Sequence, residues 1–219
     1  MTLSLITDRT LADVQRVIEL AKIGWTDMTA DEKDEWLNGN SYVLLLDANG
    51  QQMLDSNGDP IYVQSDTPAI KGAYNYTDLN RVEGAVETLE QEMQDNLDAL
   101  AAYLAAHNIA DDPVFDMGYS SVPTLTTKTD WTDSDFFAGA DGARYLGNII
   151  ALGNLIALVE VPQLPDTMDA LNYEKANNIE RYLLAIETQG AALLANRLAL
   201  AERTYPNFFY AAEISCGEV

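Results

Sequence analysis

Between Leu79 and Leu104, eight apolar residues follow one another at steps of three and four. They are Leu79, Val82, Val86, Leu89, Met93, Leu97, Leu100 and Leu104, with the step of four repeated once, between Met93 and Leu97. A strand cannot use that spacing, because it places residues two apart on one face. A helix of about thirty residues, opening near Thr77 and roughly 45 Å long, lays all eight along one seam. A seam of that length has to be covered, either by helices of the same chain or by a partner. The stretch from Ala140 to Val159 reads as a further long helix. Its Leu146, Ile149, Ile150, Leu152, Leu155, Ile156 and Val159 are apolar on several faces, which marks it as the buried helix. Another runs from Asn172 to about Arg203, where Ala176, Ile179, Leu183, Ile186, Gly190 and Leu193 again step by three and four.

Local signals place two shorter helices ahead of these. Thr10-Leu-Ala-Asp13 reads as a capping box opening a helix that Gly24 ends, with Leu11, Val14, Val17, Ile18 and Ala21 on its apolar face. Thr29-Ala-Asp-Glu32 opens a second helix reaching Leu37, bracketed by Trp25 and Trp36. Residues 40–70 change register. Asp47-Ala-Asn-Gly50 and Asp55-Ser-Asn-Gly58 punctuate two apolar runs, Tyr42 to Leu46 and Ile61 to Val63. Asn-Gly suits the positive φ of a type I′ turn, so this part reads as an inserted β-hairpin. Calcium loops are excluded by count: from Asp47 and from Asp55 the glycine arrives at position 4, where an EF-hand needs it at 6.

The expected fold is therefore mainly α: a bundle of long helices with an inserted β-hairpin and an extended C-terminal tail. Residues 1–39 and 71–219 form the helical domain and 40–70 the hairpin. Residues 111–135, rich in Pro, Gly, Ser, Thr and Asp, read as a loop with a short strand near Thr124 to Lys128. Beneath this lies a repeat. "ADVQRVIE" (Ala12 to Glu19), "TDLNRVEG" (Thr77 to Gly84) and "EKANNIER" (Glu174 to Arg181) share one pattern, echoed by "RYLGNIIA" (Arg144 to Ala151). Asn80, Asn177 and Asn178 sit beside the apolar seams in these turns, where an amide can bond a neighbouring helix end.

Chemistry is sparse. His107, the one histidine, stands at a helix end with no sequence-local carboxylate or nucleophile, and Cys216, the one cysteine, has no metal-ligating partner or basic flank. The acid groups Asp111, Asp112, Asp116 and Asp130, Asp133, Asp135 are what 35 acids in 219 residues produce by chance. No catalytic, cofactor or metal residues are expected. Twelve basic residues leave a net charge of −23, which repels nucleic-acid phosphate and anionic membrane. The opening residues lack the basic n-region of a secretory signal, and the most apolar run, Ile149 to Val161, is too short to span a bilayer. A chain made and kept inside a cell is expected.

The stretches "LITDRTLADVQRV", "GWTDMTADEKDEWLNG", "KGAYNYTDLNRVEGAV", "TKTDWTDSDF", "MDALNYEKANNIERYLLAIE" and "FYAAEISCGEV" occur in this order. Together they resemble a family of tail-associated structural-module proteins of tailed phages and prophages of gut Firmicutes. Family members pass almost directly from a segment like "EWLNG" to one like "KGAYN", so residues 40–70 are an addition here, as is the extra length of the helix after "NRVE". The resemblance implies a non-enzymatic virion component, made in the host cytoplasm and placed at the tail tip, baseplate or fibre, whose partners are other virion proteins or further copies of itself. The alternatives are a capsid, neck or head-proximal component, and a calcium-dependent adhesin or carbohydrate-binding module. The expected contact residues are Tyr42, Leu44, Leu46, Ile61, Tyr62 and Val63 of the hairpin, Phe208, Phe209, Tyr210 and Ile214 of the tail, and the Leu79 to Leu104 seam.

Overall fold

A computed structural model describes residues 3–37, 43–44, 62–63, 70–107, 109, 116–132, 134–156, 158–169 and 171–204. Helix α1 (Leu11–Ile23) is followed by a single 3-10 turn (Trp25–Asp27) and α2 (Ala30–Leu37); three longer helices are α3 (Tyr76–Ala106), α4 (Gly139–Leu155) and α5 (Tyr173–Thr204). The ends follow local chemistry. Thr10 caps α1, with its hydroxyl accepting from Asp13 N–H while the Asp13 carboxylate accepts from Thr10 N–H at 2.7 Å. Gly24 ends that helix at φ 78°, a conformation that costs glycine little. Asn75 and Asp78 form the same reciprocal box at the start of α3, so this helix begins at Tyr76, just ahead of the expected Thr77.

Helices α3, α4 and α5 build the main core, where Val82, Ile149, Leu152, Ile179 and Leu183 have no exposed surface. The α3 seam is used up inside the chain: Leu79, Val82, Val86, Leu89, Met93 and Leu100 are buried, and Leu97 and Leu104 pack partly against the same cluster. Helices α4 and α5 approach closely at Gly153, where a Cβ would lie 2.3 Å from Tyr182 Oη. A satellite cluster of Leu20, Met28 and Trp36 holds α1 against α2, reinforced by a bidentate pair from Arg16 to Glu35 at 2.8 and 2.6 Å.

Three expectations need correction. The inserted β-hairpin is not seen. What pairs is a two-residue antiparallel ladder, Val43–Leu44 against Tyr62–Val63, in the register Val43↔Val63 and Leu44↔Tyr62. A tight turn at Asn49-Gly50 or at Asn57-Gly58 would set a different register from the one observed, which is centred between the two. Among the described residues the fold is a helical bundle. Second, α4 ends at Leu155, leaving Val159 outside the helix and exposed; Ile150 is exposed too, so this helix is buried on one side only. Third, the apolar face read into α1 is not its buried face. Leu20 is the residue that packs inward, while Leu11 and Ile18 are about half exposed.

Candidate functional site: two strapped helices and the cleft between them

The 116–132 stretch forms no strand. It runs antiparallel along α3 as a strap, fastened by acids and an amide spaced at helical intervals. Leu125 N–H donates to Glu90 at 3.3 Å, Lys128 N–H to Glu83 at 2.7 Å and Trp131 N–H to Asn80 Oδ1 at 2.7 Å. The Asn80 amide returns a bond to Trp131 C=O at 2.9 Å, and Thr127 adds its hydroxyl to Glu87. Asn80, Glu83, Glu87 and Glu90 share one face of the helix. The strap is in neither helix nor strand, so its N–H groups need outside acceptors, and the helix supplies one at every third strap residue.

Residues 3–9 do the same on α5. Leu3 N–H donates to Glu187 at 3.0 Å, Ile6 N–H to Glu180 at 2.5 Å and Arg9 N–H to Asn177 Oδ1 at 2.9 Å, with the Asn177 amide returning a bond to Arg9 C=O at 2.8 Å. The spacing of Leu3, Ile6 and Arg9 matches that of Leu125, Lys128 and Trp131. Asn177, Glu180 and Glu187 are likewise spaced as Asn80, Glu83 and Glu90. Even the strap side chains correspond: Trp131 Nε1 donates to Glu83 at 3.0 Å, and Arg9 Nη2 donates to Glu180 at 2.8 Å.

The residues just after each strap repeat as well. Thr132 N–H and hydroxyl donate to Asp135 at 2.7 and 3.0 Å, as Thr10 N–H and hydroxyl do to Asp13 at 2.7 and 2.6 Å. Both acids are held below the usual carboxylate range, Asp13 chiefly by the Thr10 hydroxyl and Asp135 chiefly by Lys128. The chain is thus two related halves. Each half contributes a strap and a helix, and each strap lies on the helix of the other half.

The α5 site has the stronger electrostatics. Arg9 Nη2 bridges Asp78 at 2.7 Å and Glu180 at 2.8 Å, and Arg81 Nη2 reaches the same two carboxylates. Arg9 and Glu180 are almost wholly buried, so two cations and two anions neutralise one another largely out of reach of water. The α3 site is lighter. Glu83 is buried and receives a bidentate pair from Arg144 at 2.5 and 2.8 Å, and Arg144 also donates to Thr126 C=O.

A cleft of about 780 Å³ opens where the two straps meet the N-termini of α3 and α5. Its wall pairs equivalent positions of the two halves, Arg9 with Trp131 and Tyr76 with Tyr173, and adds Tyr74 and Phe137. Tyr74 turns its hydroxyl inward, 2.5 Å from that of Tyr145, and burial pushes both phenols up. The Arg9 guanidinium lies 5.4 Å from the centre of the Tyr74 ring. No family model, curated protein or solved structure matches the chain.

Of the expected contact residues, Tyr42, Leu46, Ile61, Phe208, Phe209, Tyr210 and Ile214 lie outside the described residues, as do Asp111, Asp112, Asp133 and Cys216. Leu44, Tyr62 and Val63 belong to the short ladder. His107 caps the end of α3, its ring stacked on Tyr103 at 4.2 Å. Asn80 and Asn177 bond straps rather than helix ends, and Asn178 donates to Gln163 C=O at 3.1 Å. Among the described residues, no group of three or more His, Cys, Asp or Glu could hold a metal, and no helix is long and apolar enough to cross a membrane. Sequence reasoning missed the straps. The signal was present: Thr7-Asp-Arg-Thr-x-x-Asp13 recurs as Thr129-Asp-Trp-Thr-x-x-Asp135.

Proposed function

We propose that this chain is a non-enzymatic structural protein of a tailed-phage or prophage virion, associated with the tail tip, baseplate or fibre and acting through protein–protein contacts. The observation that carries the reading is a coincidence of residues. The segments behind the resemblance are the ones that close strap onto helix. "LITDRTLADVQRV" and "TKTDWTDSDF" hold strap residues Ile6, Arg9, Lys128 and Trp131; "KGAYNYTDLNRVEGAV" and "MDALNYEKANNIERYLLAIE" hold Asn80, Glu83, Asn177 and Glu180. Those residues meet backbone amides and one another, which is the chemistry of a scaffold. A scaffold that closes its own core meets partners through its outer surface. Leu11 and Ile18 on α1, together with the outward Phe136 and Val159, supply apolar contacts there.

Mass spectrometry of purified virions tests the proposal, with the chain expected at a fixed copy number per particle. Its absence from the particle would sink the reading. Immunogold labelling then separates a tail position from a capsid or neck position, since label on the head excludes the tail assignment.

A further inference from the structure

We propose that the cleft between the two halves is a site for a small uncharged aromatic ligand of two or more rings, held by one oxygen acceptor on the Arg9 Nε–H. The inference goes beyond the structural-protein reading and does not depend on it. It starts from Arg9, which belongs both to a strap and to the cleft wall. Its Nη1 donates to Ile6 C=O at 2.7 Å, and its Nη2 bridges Asp78 and Glu180. Among the described residues its Nε–H has no acceptor, although the side chain is only 1% exposed. The Tyr74 ring, 5.4 Å from the guanidinium, offers it a π face but no lone pair. A buried donor left unpaired is costly, and an acceptor delivered from the cleft removes that cost.

The other wall residues narrow the ligand class. Trp131 spends its Nε1 on Glu83, Tyr74 its hydroxyl on Tyr145 and Tyr173 its hydroxyl on Glu174. Phe137 adds a ring with no polar atom. These residues are left with their rings to offer, and aromatic rings pack on one another with a gain beyond the area they bury. Charge disfavours an anion. The charged residues of the wall are already matched, Arg9 by Asp78 and Glu180, and Asp135 by Lys128 at 2.9 Å. A carboxylate would enter a neutral cleft of a chain at −23 with no cation left to meet it. A saccharide fails on count. It brings several hydroxyls to a wall with one free buried donor among the described residues, and hydroxyls buried unpaired lose affinity.

Size sets the number of rings. A cavity of about 150 Å³ holds one benzene. The cleft, at about 780 Å³, lies in the range of small-molecule sites, about 300–1,000 Å³. A single side chain from a partner protein would leave most of it empty, which favours a free ligand. Because Arg9 lies on one strap and Trp131 on the other, such a ligand touches both halves of the chain.

Benzophenone is the probe, an uncharged two-ring molecule with one carbonyl oxygen. Diphenylmethane has the same rings and a methylene in place of the carbonyl. Equilibrium dialysis against the purified, unaltered chain should give benzophenone the smaller Kd by at least about tenfold, the worth of one hydrogen bond to a charged donor. Diphenylmethane is the more apolar of the two, so an apolar surface without the donor reverses that order. Equal binding, or tighter binding of diphenylmethane, overturns the proposal. Adding a carboxylate, as in 4-benzoylbenzoate, should weaken binding, and tighter binding of this anion overturns the assignment of an uncharged ligand. Two variants locate the site. Arg9→Lys keeps a cation for Asp78 and Glu180 but has no Nε–H, and should abolish the preference for benzophenone. Leu171→Trp fills the cleft and should weaken both probes by at least about tenfold. Either variant, folded by circular dichroism and binding as the unaltered chain does, overturns the proposal. The comparison of probes needs no variant to fold. None of these results bears on whether the chain is found in virions, so the two readings fail separately.

Discussion

Asn177 and Asn80 offer a matched pair of substitutions, because each clamps one strap residue by both its N–H and its C=O. Asn177→Ala leaves the Arg9 N–H and C=O inside the protein without partners, since both bonds to Arg9 are buried. An orphaned buried polar group costs about 1–3 kcal/mol, and there are two of them. Partial relaxation of the strap trims the sum, so a loss of about 3 kcal/mol is expected. Asn80→Ala removes the same two bonds from Trp131, but there both are only partly buried, so water can replace the amide. About 1 kcal/mol is expected at that site. Against a typical stability of about 5–15 kcal/mol, the first loss is large and the second modest. Urea titrations followed by circular dichroism should show the midpoint falling with an unchanged slope. Hydrogen exchange should show the Arg9 amide losing protection in Asn177→Ala. Equal costs at the two sites, or a loss below about 1 kcal/mol for Asn177→Ala, would refute the idea that burial of the clamp holds the first strap.

The same contacts yield further expectations. Glu180→Ala leaves Arg9 and Arg81 sharing Asp78 alone, and thermal melting should report a loss of about 3–5 kcal/mol, the usual cost of breaking a buried pair. Gly153→Ala drives a methyl into the Tyr182 hydroxyl and should cost about 1–3 kcal/mol, mostly recovered in the double variant with Tyr182→Leu; simple additivity would exclude that contact. Tyr74 and Tyr145 have phenols raised above the ordinary value, so their contribution is complete below about pH 10 and is lost as pH rises through the higher folded values. Absorbance at about 295 nm, where phenolate absorbs, should therefore show two late phenols that ionise only with unfolding. On the acid side Asp13, Glu32, Glu35 and Asp135 are lowered, so their contribution is complete above their ordinary values, about pH 4.5 at the highest, and is lost as pH falls through the folded values. The melting temperature should be level near neutrality and drop below that point.

The helices were legible because their signals are local. Thr10 and Asp13, Gly24, and Thr29 with Glu32 mark ends by chemistry that acts within one turn, and the long seams mark faces by period alone. Where packing decided, the sequence misled. Leu11 and Ile18 have the right spacing for a core face, but α1 meets α2 through Leu20, so the other side stays outward. Period alone carries the helix through Ile149 too far, because Ile156 and Val159 continue it; instead Val159 leaves the helix and is clamped by Gln189, which gives and takes a bond with its backbone at 3.0 and 3.1 Å. The Asn-Gly signals are also local, but they lie outside the described residues, and the Val43↔Val63 register is centred on neither of them.

The straps escaped for a different reason. A segment in neither helix nor strand has no apolar period and makes no backbone bonds of its own, so nothing within residues 3–9 or 125–131 declares an ordered structure. The declaration sits on the receiving helix, as acids with no basic residue three or four places away along it. Along α3 and α5 the helix faces carry Glu83, Glu87, Glu90, Glu180 and Glu187 with no lysine at the i+4 positions that would pair them. On an isolated helix that arrangement only repels. It becomes favourable when the positive ends of backbone N–H dipoles are laid across it, as Lys128, Leu125, Ile6 and Leu3 do. Part of the net charge of −23 is therefore structural: Glu90 and Glu187 accept from peptide N–H groups, which never appear in a count of charged residues, whereas Glu83 and Glu180 accept from a strap N–H and from arginines as well. Two runs of acids on separate helices, each with no lysine in reach along its own helix and an asparagine one turn earlier, were the trace that two extended segments had left in the sequence.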